Sequence, residues 1–160
     1  MATFEEKVEA TVPALRRYAR ALARDPEIAD ELVQDTLLSA FRSEFLFNGD
    51  AVRGWLYATL IKLNRNRPRS LGRWPTVSPD AKDASEPTGV DGGSADIERA
   101  LSGLVEDQRN ALLLVVLEGL TYREVAEVQR VPIDTVTSRV ALARREIKDV
   151  LEGRPAREKA

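Results

Sequence analysis

Residues 121–147 read TYREVAEVQRVPIDTVTSRVALARREI, a short helix, a tight turn and a second amphipathic helix compressed into one stretch. Thr121 with Glu124 three positions on is a capping-box signature that starts the short helix. Gln129 to Pro132 makes the turn, and a longer helix is predicted from about Ile133 to Glu152. Val125, Val128, Val131, Val136 and Val140 form the seam that fixes the two helices together, with Ala126 small where they approach. Such a pair leaves the start of the second helix projecting. Ile133, Asp134, Thr135, Thr137, Ser138 and Arg139 then face a major groove, while Arg144 and Arg145 meet phosphates. The same spacing also fits an ordinary αα-hairpin with a solvated charged face, and the pattern alone leaves both readings open.

Working outward, Glu106 to Leu117 is a strongly apolar helix broken by Gly119. Before it, Ser94 or Asp96 starts a helix carrying Ile97, Ala100, Leu101 and Leu104. Between Pro68 and Ser94 the text is dense in Pro, Gly, Ser and Asp and nearly devoid of apolar residues after Val77, which predicts a flexible linker. The amino-terminal side reads as helices again. Phe4 to Ala23 places Val8, Val12, Leu15, Ala19 and Leu22 on one stripe, with Arg16, Arg17, Arg20 and Arg24 on the exposed sides. Asp25 caps a second helix with Pro26 and Glu27 in its first turn, an apolar face of Ile28, Leu32, Leu37 and Phe41, and an end near Ser43. Asp50 is a plausible cap for a third helix through Trp55, Leu56, Leu60 and Leu63 towards Pro68.

No alternating Val/Ile/Thr stretch suggests a sheet, and no internal repeat is visible. The expected fold is all-α: two small helical domains, 1–69 and 95–154, joined by a flexible linker, 70–94, with a disordered tail at 155–160.

The inventory excludes much. There is no cysteine and no histidine, so zinc fingers, disulfide scaffolds, thiol nucleophiles and Ser-His-Asp triads fall away, and no metal or cofactor is expected. Glu31 and Asp35 sit one helical turn apart, but nothing beside them supplies a pocket, a phosphate loop or a third ligand, so no enzymatic role is expected. MATFEEKVEA lacks the signal-peptide pattern, and no apolar run is long enough to cross a bilayer, so a cytoplasmic protein without membrane insertion is expected. A formal charge of -2 is a poor footprint for autonomous DNA binding, which draws its affinity from cations that replace counterions. Charge is unevenly spread, however. Between Ala51 and Pro79 stand Arg53, Lys62, Arg65, Arg67, Arg69 and Arg73 and no acidic residue, a local cationic strip with Asn64 and Asn66 as further hydrogen-bonding groups. Trp55 and Tyr57 in that strip either stack on bases or pack as ordinary core aromatics.

EGLTYREVAEVQRVPIDTVTSRVALARREI, residues 118–147, resembles region 4 of extracytoplasmic-function sigma factors, and LSGLVEDQRNALLLVVL before it resembles that family's helical lead-in. RRYARALARDPEIADELVQDTLLSAF resembles region 2, and GDAVRGWLYATLIKLNRNRPR its continuation. Two blocks in the right order across a weakly structured linker are more specific than a helix-turn-helix alone. The LRRYARAL and ADELVQDT stretches resemble the alphaproteobacterial general-stress-response (EcfG-like) group.

The resemblance implies an alternative sigma factor whose partners are core RNA polymerase, through its largest and second-largest subunits, promoter DNA and an anti-sigma factor. It implies that Asp30, Glu31, Leu32, Gln34 and Asp35 dock on the polymerase, with Leu32 or Val33 supplying apolar contact. It assigns the −10 region to Phe47, Asn48, Asp50, Arg53, Lys62, Asn64, Arg65 and Arg67, with an extruded base held in the loop Phe45 to Asp50. The −35 element falls to the helix from Ile133 to Arg145. The acidic linker residues Asp80, Asp83, Glu86 and Asp91 either thread through polymerase or form a solvated tether. Two departures stand out: Gln129-Arg130 replaces the usual Leu-Gly of the turn, and Leu142 stands where many members carry arginine. The competing reading is a sigma-like decoy that sequesters an anti-sigma factor; such mimics carry a receiver domain, for which these 160 residues leave no room. A dimeric repressor is the third.

Overall fold

The computed structural model describes residues 2–44, 51–67 and 92–153, with the side chains of 92–95 left aside. Within them the fold is all-α, as expected: α1 Phe4–Ala23, α2 Pro26–Arg42, α3 Val52–Arg65, α4 Gly92–Ser102, α5 Glu106–Val116, α6 Tyr122–Gln129 and α7 Ile133–Leu151. Most of the predicted linker, the loop 45–50 and the tail lie outside the described residues.

The helix ends follow from local chemistry. Thr3 caps α1, its hydroxyl accepting from the Glu6 N–H while Glu6 reaches back to the Thr3 N–H. Asp25 caps α2 by accepting from the Glu27 N–H at 2.9 Å, with Pro26 in the first turn. Asp50, the expected cap of α3, lies outside the described residues, and the cap position falls on Ala51, which makes no side-chain bond. In the second half α4 begins at Gly92, ahead of Ser94 or Asp96.

Helices α1, α2 and α3 pack mutually, and α7 gathers α4, α5 and α6 around it. The first unit buries Val8, Leu15, Leu22, Leu32, Leu56 and Leu60; the second buries Leu104, Leu114, Val125, Val136 and Val140. On α2 the buried stripe is Ala29, Leu32, Val33, Thr36 and Ala40. It is rotated from the expected face, so Phe41 is 46% exposed and meets Phe4 edge-on, with ring centroids 6.1 Å apart. Ile97 is likewise half exposed, leaving Ala100 and Leu104 to seat α4.

The two units are not apart. Helix α3 lies against α6, and the buried residues of both halves join in one continuous cluster. At the crossing Gly54 of α3 faces a Val128 methyl of α6, and a Cβ there would stand 3.7 Å from it, in ordinary van der Waals contact.

Candidate nucleic-acid interface

The predicted helix-turn-helix is present. Thr121 and Glu124 form the capping box reciprocally, at 3.1 and 3.0 Å, and the Thr121 backbone N–H holds the Glu124 carboxyl below its usual range. Val125, Val136 and Val140 are fully buried and Val128 nearly so, while Val131 packs from the edge. The turn has no glycine, and Arg130 takes the left-handed conformation itself, φ 56° and ψ 49°.

Ile133, Asp134, Thr137, Ser138, Arg144 and Arg145 are exposed on α7, and Thr135 is half-buried. Leu142 lies among them, 43% exposed, an apolar side chain on a polar face. Arg139 differs from expectation. Its guanidinium turns inward, donating to Gln129 Oε1 at 2.9 Å and standing 3.6 Å from the Asp107 carboxylate, and Gln129 in turn donates to the Asp107 carbonyl at 3.0 Å. A cation with two partners inside the fold braces the turn rather than offering itself to a groove. Gln129, the unexpected turn residue, is thereby a structural link between α5, α6 and α7.

On the first unit, Asp30, Glu31, Gln34 and Asp35 form an exposed face of α2. Leu32 and Val33, expected to add apolar contact there, are buried at 0% and 3% exposure and belong to the core, because they fall on the opposite side of the helix. The exposed apolar residues of α2 are Leu38 and Phe41. Phe47, Asn48 and Asp50 lie outside the described residues.

Arg53, Lys62 and Arg65 are exposed on α3 as expected. Tyr57 is not a base-stacking surface here: it is fully buried, edge-on to Tyr18 with centroids 5.5 Å apart, and the Arg53 guanidinium lies 5.8 Å from its ring. Trp55 is half-buried and packs on the core. Asn64 is 6% exposed, on the inward face with Leu60 and Ile61, which removes it from reach of DNA in this arrangement. Arg67 joins the two expected sites: it pairs with Glu31 at 3.2 Å and Asp35 at 3.7 Å, carboxylates of the α2 face.

The pairings that the sequence did not single out lie where the units meet. Arg17 donates through Nε to the buried carboxylate of Glu118 at 2.9 Å, which raises the already high arginine value further. Arg53 donates to the Glu118 carbonyl at 3.0 Å and faces Glu124 at 3.8 Å. Arg65 takes Glu106 and Asp107 at 3.4 and 3.2 Å, and Arg24 takes Glu98 at 3.1 Å. Tyr18 donates to the Asn110 carbonyl at 3.4 Å. Single exposed pairs of this kind contribute about 0–1 kcal/mol each, so they act together with the apolar cluster that runs between the two halves beneath them. Among the described residues no group of carboxylates is arranged to hold a metal ion, and no helix is long and apolar enough to cross a membrane.

Comparison with known proteins agrees with this architecture. The family described as the Sigma2 domain of PhyR matches residues 8–61, and the family described as Sigma-70, region 4, matches residues 94–147. The ECF RNA polymerase sigma factor EcfG of Rhodopseudomonas palustris is 32% identical over 155 residues, covering 93% of this chain and 85% of that protein. Among solved structures, the sigma factor RpoE from Bartonella quintana, crystallised with the anti-sigma factor NepR, superposes with a TM-score of 0.72 at 29% identity, covering 93% of this chain and 96% of that one. The fold also matches the PhyRSL–NepR complex of Sphingomonas sp. Fr1, at a TM-score of 0.68 and 22% identity, covering 99% and 96% of the respective chains.

Proposed function

The chain belongs to the extracytoplasmic-function sigma factors, in their EcfG-like group, and from that premise we propose that it directs core RNA polymerase to stress-response promoters and is held inactive by an anti-sigma factor. One observation carries the reading: a helix-turn-helix with an exposed recognition face and a separate helical unit bearing a cationic strip occur in one chain, in the family's order. The cytoplasm, where polymerase works, is its place of action.

Labour is divided between surfaces. The acidic face of α2, Asp30, Glu31, Gln34 and Asp35, meets the largest subunit of the polymerase, offering acceptors to a basic partner. Arg53, Lys62 and Arg65 on α3 track the strand backbone of the −10 region, with the loop before α3 capturing a base, and the exposed start of α7 reads the −35 element. The near-zero net charge keeps free protein off bulk DNA until polymerase adds its own contacts. An anti-sigma partner is supported by the Bartonella quintana relative, which was crystallised with one.

Run-off transcription with core polymerase on fragmented genomic DNA tests the proposal. New 5′ ends sharing two upstream elements are the expected result; absence of any factor-dependent transcript would overturn it. Within this test, Gln34→Ala and Asp35→Ala are expected to weaken core binding about tenfold each, whereas Arg65→Ala leaves it within about twofold and reduces open-complex formation measured by permanganate footprinting. Arg67 is unsuited to this division, because it touches Glu31 and Asp35.

The decoy reading keeps two observations in its favour: the first unit matches a family named for PhyR, and Leu142 puts an apolar side chain on the exposed face of α7. Polymerase binding without a specific transcript would select it.

A further inference from the structure

Among the described residues, the ion pairs seen across the seam share one direction. The first unit supplies cations, Arg17, Arg24, Arg53 and Arg65, and the second supplies carboxylates, Glu98, Glu106, Asp107, Glu118 and Glu124. Two of those arginines, Arg53 and Arg65, belong to the strip read above as a strand-binding surface. Arg65 is engaged by two carboxylates at once, and Arg53 by a carbonyl and a carboxylate, which is the multi-acceptor engagement that phosphate oxygens give a guanidinium.

We propose that Glu106, Asp107 and Glu124 act as an internal substitute for the DNA backbone: in the free chain they occupy Arg53 and Arg65, and the α3 strip accepts a strand only after the two units part. The inference rests on the strand-binding assignment of α3 made above, and adds a regulator carried by the chain itself.

The contact beneath is itself partly polar: Tyr18 donates to the Asn110 carbonyl and Arg17 to the Glu118 carboxylate across the seam, and water can take over both bonds when the units part. Because the exposed pairs are screened by salt, closure also responds to ionic strength.

The test uses the full chain. Since it has no cysteine, Ala10→Cys and Lys148→Cys introduce unique dye sites on exposed positions of the two units, and energy transfer reports closure. Strand binding is read by the anisotropy of a fluorescein-labelled oligothymidine. A seam-neutral variant, Glu106→Gln with Asp107→Asn and Glu124→Gln, is expected to lose transfer and bind the oligonucleotide about tenfold more tightly than the parent. A control of the same net charge, Glu5→Gln with Glu9→Gln and Glu127→Gln, should gain less than about twofold. Equal gains in the two variants, or unchanged affinity and transfer in the first, would overturn the proposal. Should the seam-neutral variant be unfolded by circular dichroism, the swapped chain Arg65→Glu, Glu106→Lys, Asp107→Lys decides. Restored transfer without strand binding supports the proposal, and strand affinity equal to the parent's refutes it. If the parent initiates transcription with core polymerase while the seam-neutral variant behaves like the control, the internal substitute is wrong and the sigma-factor reading stands; if the parent yields no transcripts, the strand-binding premise itself falls.

Discussion

Arg109 shows how much one buried cation can organise. It is 6% exposed, and its guanidinium donates to the carbonyls of Leu101 and Leu104 at 2.8 Å each and of Ser102 at 3.4 Å, closing the exit of α4 against α5. Burial lowers it to about 10, which leaves it protonated at neutral pH. Arg109→Met strands three carbonyls and is expected to cost about 2–4 kcal/mol in urea unfolding, with Arg109→Lys intermediate because a single ammonium cannot span the same fork. Arg130 offers the opposite test. A non-glycine residue at φ 56° pays a steric penalty, so Arg130→Gly should stabilise the chain by roughly 0.5–1 kcal/mol, after the greater freedom of unfolded glycine is subtracted. A lower melting temperature would mean that the Arg130 side chain contributes a contact larger than the strain. The residue type at each of these positions was visible in the sequence; that Arg109 faces inward, among carbonyls eight and fewer positions away, depends on how the chain turns between α4 and α5.

Among the elements, α7 was the most legible. Its start, its buried seam and its exposed face all follow from a 3.6-residue period, and the start of α2 follows from the chemistry of Asp25 and Pro26. The face that α2 buries was less legible, because Phe41 and Leu32 are both apolar and only packing against α1 and α3 decides which turns inward. On α7, the Leu142 departure has a measurable consequence. Leu142→Arg adds a cation beside Arg145 on the exposed face and is expected to tighten binding to duplex DNA a few-fold and steepen its salt dependence by about one counterion. Arg144→Ala and Arg145→Ala should each flatten that slope by a similar amount, measured by anisotropy across a salt series. No change from either would place the groove face elsewhere on the helix.

At the scale of the whole molecule, the closed arrangement buries two of the three tyrosines, Tyr18 and Tyr57, edge-on at the seam. Burial first, and the Glu118 carboxylate second, push Tyr18 well above 10; the same two causes raise Tyr57, with Arg53 and Arg17 opposing. Raised folded values mean that the stability these phenols contribute is full below about pH 10 and is lost as pH climbs from there through the folded values. Arg109, whose value is lowered, has the opposite sign over the same range, so the clean readout is phenolate absorbance rather than melting temperature. The expected titration shows Tyr18 and Tyr57 ionising above 10 in the parent and nearer to 10 in the seam-neutral chain; normal ionisation of both in the parent would mean that the seam is open in solution. What the sequence determined by itself was local and periodic: helix type, the caps at Asp25 and Thr121, and the order of two blocks that names the family. Tertiary structure alone decided that Arg17 meets Glu118, 101 positions away, that Asn64 and Tyr57 are hidden, and that Arg139 braces a turn instead of projecting from it. Helix period and capping are set by neighbours within a turn or two along the chain, whereas partner choice between distant charges depends on the packing of units whose separation in sequence carries no such signal.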